Sequence, residues 1–471
     1  MKRRLRVYKK TVSIVNETAT GMYESLVGDK KGFLLESYDK NYDRYTFFGK
    51  EPEEIISSRG NALVITKNDG TQEVRNGNPL ERLKEYYSEF DIVKDNEELS
   101  FSGGLVGNLG YDFVRYAEVL PDNNPDEIGI ETVQMMLMTK FIMVDHVAET
   151  LTGIILGEDT PEGKEKSLEE AEELIRQALA NKGRAPEKNF THDGVIVNQS
   201  DSLEQYSQKV EKIKEYIREG HIFQTVLSQR WTIETKQSGF ELYKELRELN
   251  PSPYLYYFNY GDFEVIGSSP EMIVKQQGNR VYTCPIAGTR KRGADAEEDA
   301  LLRDELLQDE KERAEHVMLV DLARNDMGRI SEFGTVKVTQ FMEVQNYSHV
   351  MHIVSMVEGR KKGEFHPFDL VSSFLPAGTL SGAPKIRAME IIDELESVRR
   401  GLYGGATGYI DFSGDMDFCI TIRTMIKKEN RVYLQAGAGI VADSVPENEY
   451  QECCNKVMAL AKTLVNVSST L

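Results

Sequence analysis

Two segments of the sequence place glutamates at helical spacing. In DEKERAEHVMLVDLARND, Glu312, Glu315 and His316 would project together, with Val317, Leu319, Val320 and Leu322 as the apolar side. In DSVPENEYQECCNK, Glu449, Glu452 and Lys456 fall at i, i+3 and i+7, behind a Ser444-Val-Pro-Glu447 capping box. Two helices each offering Glu-x-x-Glu could clamp a hard divalent cation, and Mg²⁺ is suited to one or two carboxylates completed by waters and substrate oxygens. Two solvated helix faces are the competing reading in a chain with 77 acidic residues, and spacing alone does not separate the two.

Other polar groups lie in apolar or glycine-rich settings. Gly437-x-Gly439-x-x-Ala442 has the spacing of a dinucleotide-binding turn, which must be followed by a helix and a second parallel strand ending in an acid. Only 29 residues follow Ala442 and a helix takes up most of them, so a nicotinamide-dependent oxidoreductase is disfavoured. The small residues Gly437, Ala438 and Gly439 could instead let an anion approach backbone N–H groups. A β-bulge or tight sheet corner would also explain them. His352, in HVMHIVSMV, reads as a core histidine or a site residue. Arg423 is expected mid-strand in CITIRTMI, opposite Phe418, Ile420 and Ile422, where its buried fork needs a carboxylate, from the protein or from a ligand. LPAGTLSGAPK at 375–385 is a ligand cradle or a simple connection.

These groups need a large scaffold, and 471 residues provide two large domains or one intertwined two-layer body. Hydrophobic residues at 40 % are ample for a packed globule. A net charge of −20 argues against nucleic acid or a membrane surface as partner. The basic start, MKRRLRVYKK, is expected to be a solvated tail and, with no apolar core after it, not a signal peptide. The best apolar run, VQMMLMTKFIMV, is broken by Lys140 and too short to span a bilayer. Four cysteines without CxxC spacing predict a cytoplasmic protein with no disulfide framework.

A charged helix near 165–181, then Gly183 and Pro186, divides the chain into 1–160, a helix and linker at 161–194, and 195–471. Helices are predicted at 203–219, 296–323, 384–397 and 446–465, among strands that include a hairpin turning at KKEN, 427–430. The mixed order favours an α+β fold.

As a set, GHIFQTVLSQR, NPSPYLYYF, GSSPE, PIAGTRKRG, ERAEHVMLVDLARND, LPAGTLSGAPK, YGGATGY, TIRT and QAGAGIVADSVPENEYQECCNK resemble the chorismate-utilising enzymes, and within them the anthranilate synthase component I branch. FLLES, DRYTFFG and GGLVGNLGYD extend the likeness over nearly the whole chain. The resemblance implies antiparallel sheets packed together and flanked by helices, and an Mg²⁺-dependent site for the dianion chorismate. Glu315 and Glu452 would hold Mg²⁺, with Glu449 and Glu312 close by. Tyr403, Arg423 and the Gly437, Ala438 and Gly439 amides would receive the enolpyruvyl carboxylate, with Lys456 adding positive charge. Ala287, Gly288 and Thr289 would join the substrate-binding surface. Glu271 would protonate the departing 4-hydroxyl, with its pKa raised by burial. Thr379 and His352 would line the ring, and His352 would assist loss of pyruvate.

Two positions separate branches of the family. Gln224 stands where isochorismate-forming members carry a water-activating lysine, and an amide is no base. Ala287 stands where aminodeoxychorismate synthases usually carry a nucleophilic lysine. Direct attack by ammonia, giving anthranilate, is what the resemblance then implies, with aminodeoxychorismate as the rival product. It also implies a separate glutamine amidotransferase subunit as ammonia source, and hence a hetero-oligomer, since no cysteine-centred elbow is legible here. Feedback by tryptophan is implied at Glu36, Ser37, Pro253 and Tyr254. His221 departs from the family's usual aspartate.

Overall fold

Alternating apolar residues build two large sheets that share one interior. The computed structural model describes residues 2–15, 17–37, 44–93, 99–180, 191–346 and 350–465. One sheet has 13 strands and the other 12, and each draws strands from both the 1–160 and the 195–471 segments. All pairings are antiparallel except that of Arg3–Ser13 with Phe90–Val93. Phe33, Phe101, Phe141 and Phe258 fill the space between the sheets. Helices cover the outer face of the larger sheet, with Val457 in the cluster that holds Trp231 and Leu434, and the outer face of the smaller, with Val320, Met327 and Phe368 in the cluster that holds Ile273, Val274 and Phe418. The α+β expectation holds.

The predicted helices form as Leu203–Arg218, Lys385–Leu395 and Pro446–Ala461, but 296–323 is two helices. Asp309 ends Ala296–Gln308 and caps Glu310–Ile330, accepting from the N–H groups of Lys311 and Glu312. The charged helix is Pro161–Ala178, and linker residues 181–190 lie outside the described residues. The basic start is no solvated tail. It forms the strand Arg3–Ser13, where Arg4 and Arg6 pair with Asp159. No helix among the described residues is long and apolar enough to cross a membrane.

Chain segments pass repeatedly from one sheet to the other. The run read as VQMMLMTKFIMV splits at Thr139, with Val133–Met138 in the smaller sheet and Lys140–Asp145 in the larger. The same happens between Glu264–Ser269 and Met272–Gln277, and between Met416–Ile420 and Thr424–Lys428. Thr424–Lys428 then pairs with Arg431–Ile440 as the predicted hairpin.

One buried ion pair ties together further parts of the chain that lie far apart in sequence. Arg400 and Glu396 are paired at 2.6 Å. Arg400 also donates to the carbonyls of Val226 and Leu380, and its guanidinium lies over the rings of Tyr111 and Tyr403. Glu396 accepts from Ser228 through both N–H and hydroxyl. Glu396→Ala strands the guanidinium without its partner and should cost about 3–5 kcal/mol. Urea denaturation measures it, and a loss below about 1 kcal/mol, the worth of a surface pair, would contradict the role.

Candidate active site

The strands 264–277 and 416–428 run side by side through both sheets and bend together between them. At the bend Ser268 N–H donates to the Arg423 carbonyl at 3.1 Å and Ile420 N–H to the Glu271 carbonyl at 2.9 Å. Glu271 and Arg423 are therefore corner residues, and both line a cavity of about 210 Å³. Arg423 is not mid-strand as the alternation suggested: its φ is +50°, a left-handed turn that carries the chain from one sheet to the other. Among the described residues no carboxylate pairs with it, so the protein-partner alternative drops out. Burial without a counter-charge holds its pKa below the ordinary arginine value, with Tyr403 acting the other way.

Opposite the corner, Gly437 and Gly439 lie within the strand Arg431–Ile440, in unbroken antiparallel register with Gln224–Glu234. They are neither a dinucleotide turn nor a bulge. Val226 N–H donates to Ser381 and Ser228 N–H to Glu396, so both point away from Arg431–Ile440. Gly439 and Gly437, their register partners, are thus in non-hydrogen-bonded pairs, and their own N–H groups point away from Gln224–Glu234. On that side the pairing with Thr424–Lys428 stops at Met425 and Leu434, which leaves the amides facing the cavity. Glycine is needed here for space. A Cβ on Gly437 would meet Tyr403 Oη at 3.0 Å, and one on Gly439 would meet Gln224 Nε2 at 2.7 Å. Ala438 turns its methyl into the core instead. Lys456 donates to the Gly437 carbonyl at 2.8 Å and pairs with Glu452 at 2.7 Å. Arg423, Tyr403, Lys456 and two open amides give this wall the donors and positive charge that suit an anion.

At the corner Glu271 accepts a hydrogen bond from Thr379 at 3.2 Å. Burial raises its pKa to about 8, against the opposing pull of Thr379 and Lys456, so it is a neutral acid at pH 7. His352, Gly288 and Thr289 bond one another beside the cavity: His352 Nδ1 is 2.8 Å from the Gly288 carbonyl and 3.1 Å from the Thr289 hydroxyl. Burial, and the nearby Arg423, press the His352 pKa down and keep the ring neutral. Ile286 lines the cavity, whereas Ala287, Gly288, Thr289 and His352 do not.

Glu315 and Glu452 reach the cavity from two helices. Burial and then the charges of Glu312 and Glu452 push the Glu315 pKa up, and burial raises that of Glu449. Such a cluster of like charges is short of positive charge. Glu312 is drawn towards Arg290, 3.5 Å away. Among the described residues no three carboxylate, imidazole or thiol groups converge on one ion position. His316 lies on the same inward side of the helix as Glu312 and Glu315 but does not reach the cavity: it is fully buried, 2.6 Å from the Ser355 hydroxyl. The capping box is absent too. Val445 occupies the N-cap position, and the Ser444 hydroxyl accepts from Val441 N–H.

The apolar walls, Val226, Ile286, Leu319, Leu380, Ile422 and Leu460, were not read from sequence as site residues, because an apolar residue carries no chemical signal of its own. Gln435, also in the wall, had a signal in the adjoining QAGAG. A separate cavity of about 60 Å³ lies between the sheets, lined by Glu36, Ser37, Pro253, Tyr254 and Asp417. Glu36 offers backbone there. Its carboxylate lies on the opposite strand face, accepting from Arg247 at 2.9 Å and from Tyr243.

Comparison with known proteins identifies the family. Residues 33–462 match the family described as chorismate binding enzyme. The anthranilate synthase component 1 of Acetivibrio thermocellus is 45 % identical over 458 residues, covering 95 % of this chain and 93 % of that protein. The crystal structure of anthranilate synthase component I from Streptococcus pneumoniae TIGR4 superposes with a TM-score of 0.78 at 39 % identity, over 89 % of this chain and 92 % of that one. The menaquinone-specific isochorismate synthase of Escherichia coli has a TM-score of 0.73 at 17 % identity, over 98 % and 94 %, and shares the fold.

A buried cation kept for a ligand should be costly to the unliganded fold. Arg423→Asn removes the charge and suits φ above zero, so its urea midpoint should equal or exceed the parent's. A lower midpoint would mean that Arg423 has a stabilising partner within the protein.

Proposed function

The chain belongs to the chorismate-binding enzymes, among the anthranilate synthase component 1 proteins, and we propose that it converts chorismate and ammonia to anthranilate and pyruvate with Mg²⁺. The observation that carries this reading is the pairing, in one cavity, of a neutral acid, Glu271, with a half-buried cation, Arg423, that has no carboxylate partner among the described residues.

The enolpyruvyl carboxylate sits against Arg423, Tyr403 and the Gly437 and Gly439 amides, with Lys456 behind them. This places the ring towards Glu271 and Thr379. Ammonia forms a bond to C2 while the C4–O bond breaks, and Glu271 donates its proton so that water leaves instead of hydroxide. Gln224, beside Gly439, has no basic atom with which to activate water, and Ala287 has no amine for covalent capture. His352, kept neutral by burial and set beside the cavity rather than in its lining, is proposed as the base of the second step, in which C2 loses its proton, the C3–O bond breaks and pyruvate departs. Glu315 and Glu452, with Glu312 and Glu449 beside them, have the donor type and the charge deficit that suit Mg²⁺ completed by water and substrate oxygens. When bound, the ion would neutralise the ring carboxylate and lower the cost of bringing a nucleophile to an anionic ring.

The ammonia comes from a component 2 subunit with glutamine amidotransferase activity, as the component 1 name of the relatives implies. The cavity between the sheets, with Ser37, Pro253, Tyr254 and the backbone of Glu36, is proposed to bind tryptophan as a feedback inhibitor.

Incubation with chorismate, Mg²⁺ and ammonium should give the fluorescence of anthranilate, and its absence would overturn the reading. Glu452→Gln should abolish turnover while the fold is kept, and wild-type activity in that variant would remove the metal role. The pH dependence has a definite sign. Glu271 works as the acid, so its contribution is present below about pH 8 and lost above it. Above that value kcat/KM with ammonium held constant as NH₃ should fall by roughly tenfold per pH unit. A flat profile to pH 10 would exclude Glu271 as the proton donor.

A further inference from the structure

Glu271 and Thr379 line two cavities, not one. The second, of about 40 Å³, lies between the helix Glu310–Ile330 and the 374–379 segment, away from the anion wall. Leu322, Ala323 and Gly378 line it and are partly exposed, so its outer end reaches the surface. Its polar wall is Asp326, buried and 2.8 Å from Lys385 at the start of Lys385–Leu395. A space of this size with polar groups on its walls holds water.

We infer that this passage is a water and proton port for Glu271, and that Asp326 is its positioning residue. The inference rests on Glu271 being the general acid. Each turnover leaves Glu271 as a carboxylate in a buried setting, while substrate closes it off from the main cavity mouth. The carboxylate must regain a proton, and the water made from the 4-hydroxyl must leave. The balance closes without a further reactant. Ammonia gains a bond to C2 and the nitrogen releases one proton to solvent, and one proton returns to Glu271 through the port waters. Asp326, held in place by Lys385, anchors the water chain at its polar wall, so the carboxylate formed at Glu271 is within reach of hydrogen-bonded water. Released water leaves by the same opening.

The test uses the full chain with chorismate, Mg²⁺ and ammonium. Ala323→Leu narrows the port at a partly exposed helix position. It should lower kcat about tenfold, leave KM for chorismate and for ammonium unchanged, and raise the solvent deuterium isotope effect on kcat. Asp326→Asn should act in the same direction, with Asp326→Glu restoring part of kcat. Wild-type kcat and isotope effect in Ala323→Leu would overturn the port. A raised KM for ammonium at unchanged kcat would overturn it as well and make the opening an entry for ammonia. Glu271→Gln separates the two levels. If it retains turnover, the acid assignment itself falls; if it is inactive while Ala323→Leu behaves as wild type, only the port falls.

Discussion

The hydrogen bonds from Ser268 N–H to the Arg423 carbonyl and from Ile420 N–H to the Glu271 carbonyl join two strands where both leave one sheet for the other. A flat sheet satisfies its backbone groups and gives each side chain one of two faces. A paired bend keeps the backbone bonded through the corner, yet turns side chains towards a space that neither sheet fills. Glu271 and Arg423 occupy that space from adjacent strands, one as a neutral acid and the other as a cation. The third strand, Arg431–Ile440, does not follow the bend, so its outer edge loses a partner after Leu434. The open amides of Gly437 and Gly439 are a consequence of the corner, not an independent device.

The same corner sorts the charges. Glu271 is buried with a hydroxyl donor and no cation in contact, so desolvation dominates and the proton stays on. Arg423 is buried with Tyr403 and no carboxylate, so it is poorer in compensation than a structural arginine. Arg400 shows what a structural arginine looks like in this fold, with a carboxylate at 2.6 Å and two backbone carbonyls. The contrast between Arg400 and Arg423 supports the proposal that Arg423 takes a ligand anion. Glu315 and Glu452, nearer the cavity mouth, show the opposite imbalance, an excess of negative charge.

The sequence made the helices legible because their apolar stripes and caps are local, and it made the reactive residues legible because acids, a histidine and an arginine stand out in apolar runs. What it concealed is non-local. Asp309 reads equally as a surface acid inside a long helix or as a cap between two, and only packing of the second helix on the sheet decides. MKRRLRVYKK looks like a tail until Asp159 and Glu53 are brought to it by strand pairing. The 416–428 stretch alternates as one strand, and alternation says nothing about which sheet each end joins. For that reason the Arg423 residue was noticed while its left-handed turn was not. His316 shares the inward side of the helix with Glu312 and Glu315, as the spacing implied, but spacing could not say that Ser355 would hold it beneath the helix and outside the cavity.

The ion pair of Glu396 and Arg400 shows why the corner can stay open. An unfilled, partly polar cavity between sheets is a place where a fold tends to collapse. Here the strand carrying Gln224, the turn carrying Thr379 and the ring of Tyr403 are each bound to one buried guanidinium, through the Val226 carbonyl, the Leu380 carbonyl and a stacked face. Three walls of the cavity are therefore fixed relative to a common point that is itself neutralised. Rigidity around the cavity is supplied by charges that are fully paired, and this frees Arg423 and Glu271, inside it, to remain without an ion-pair partner among the described residues.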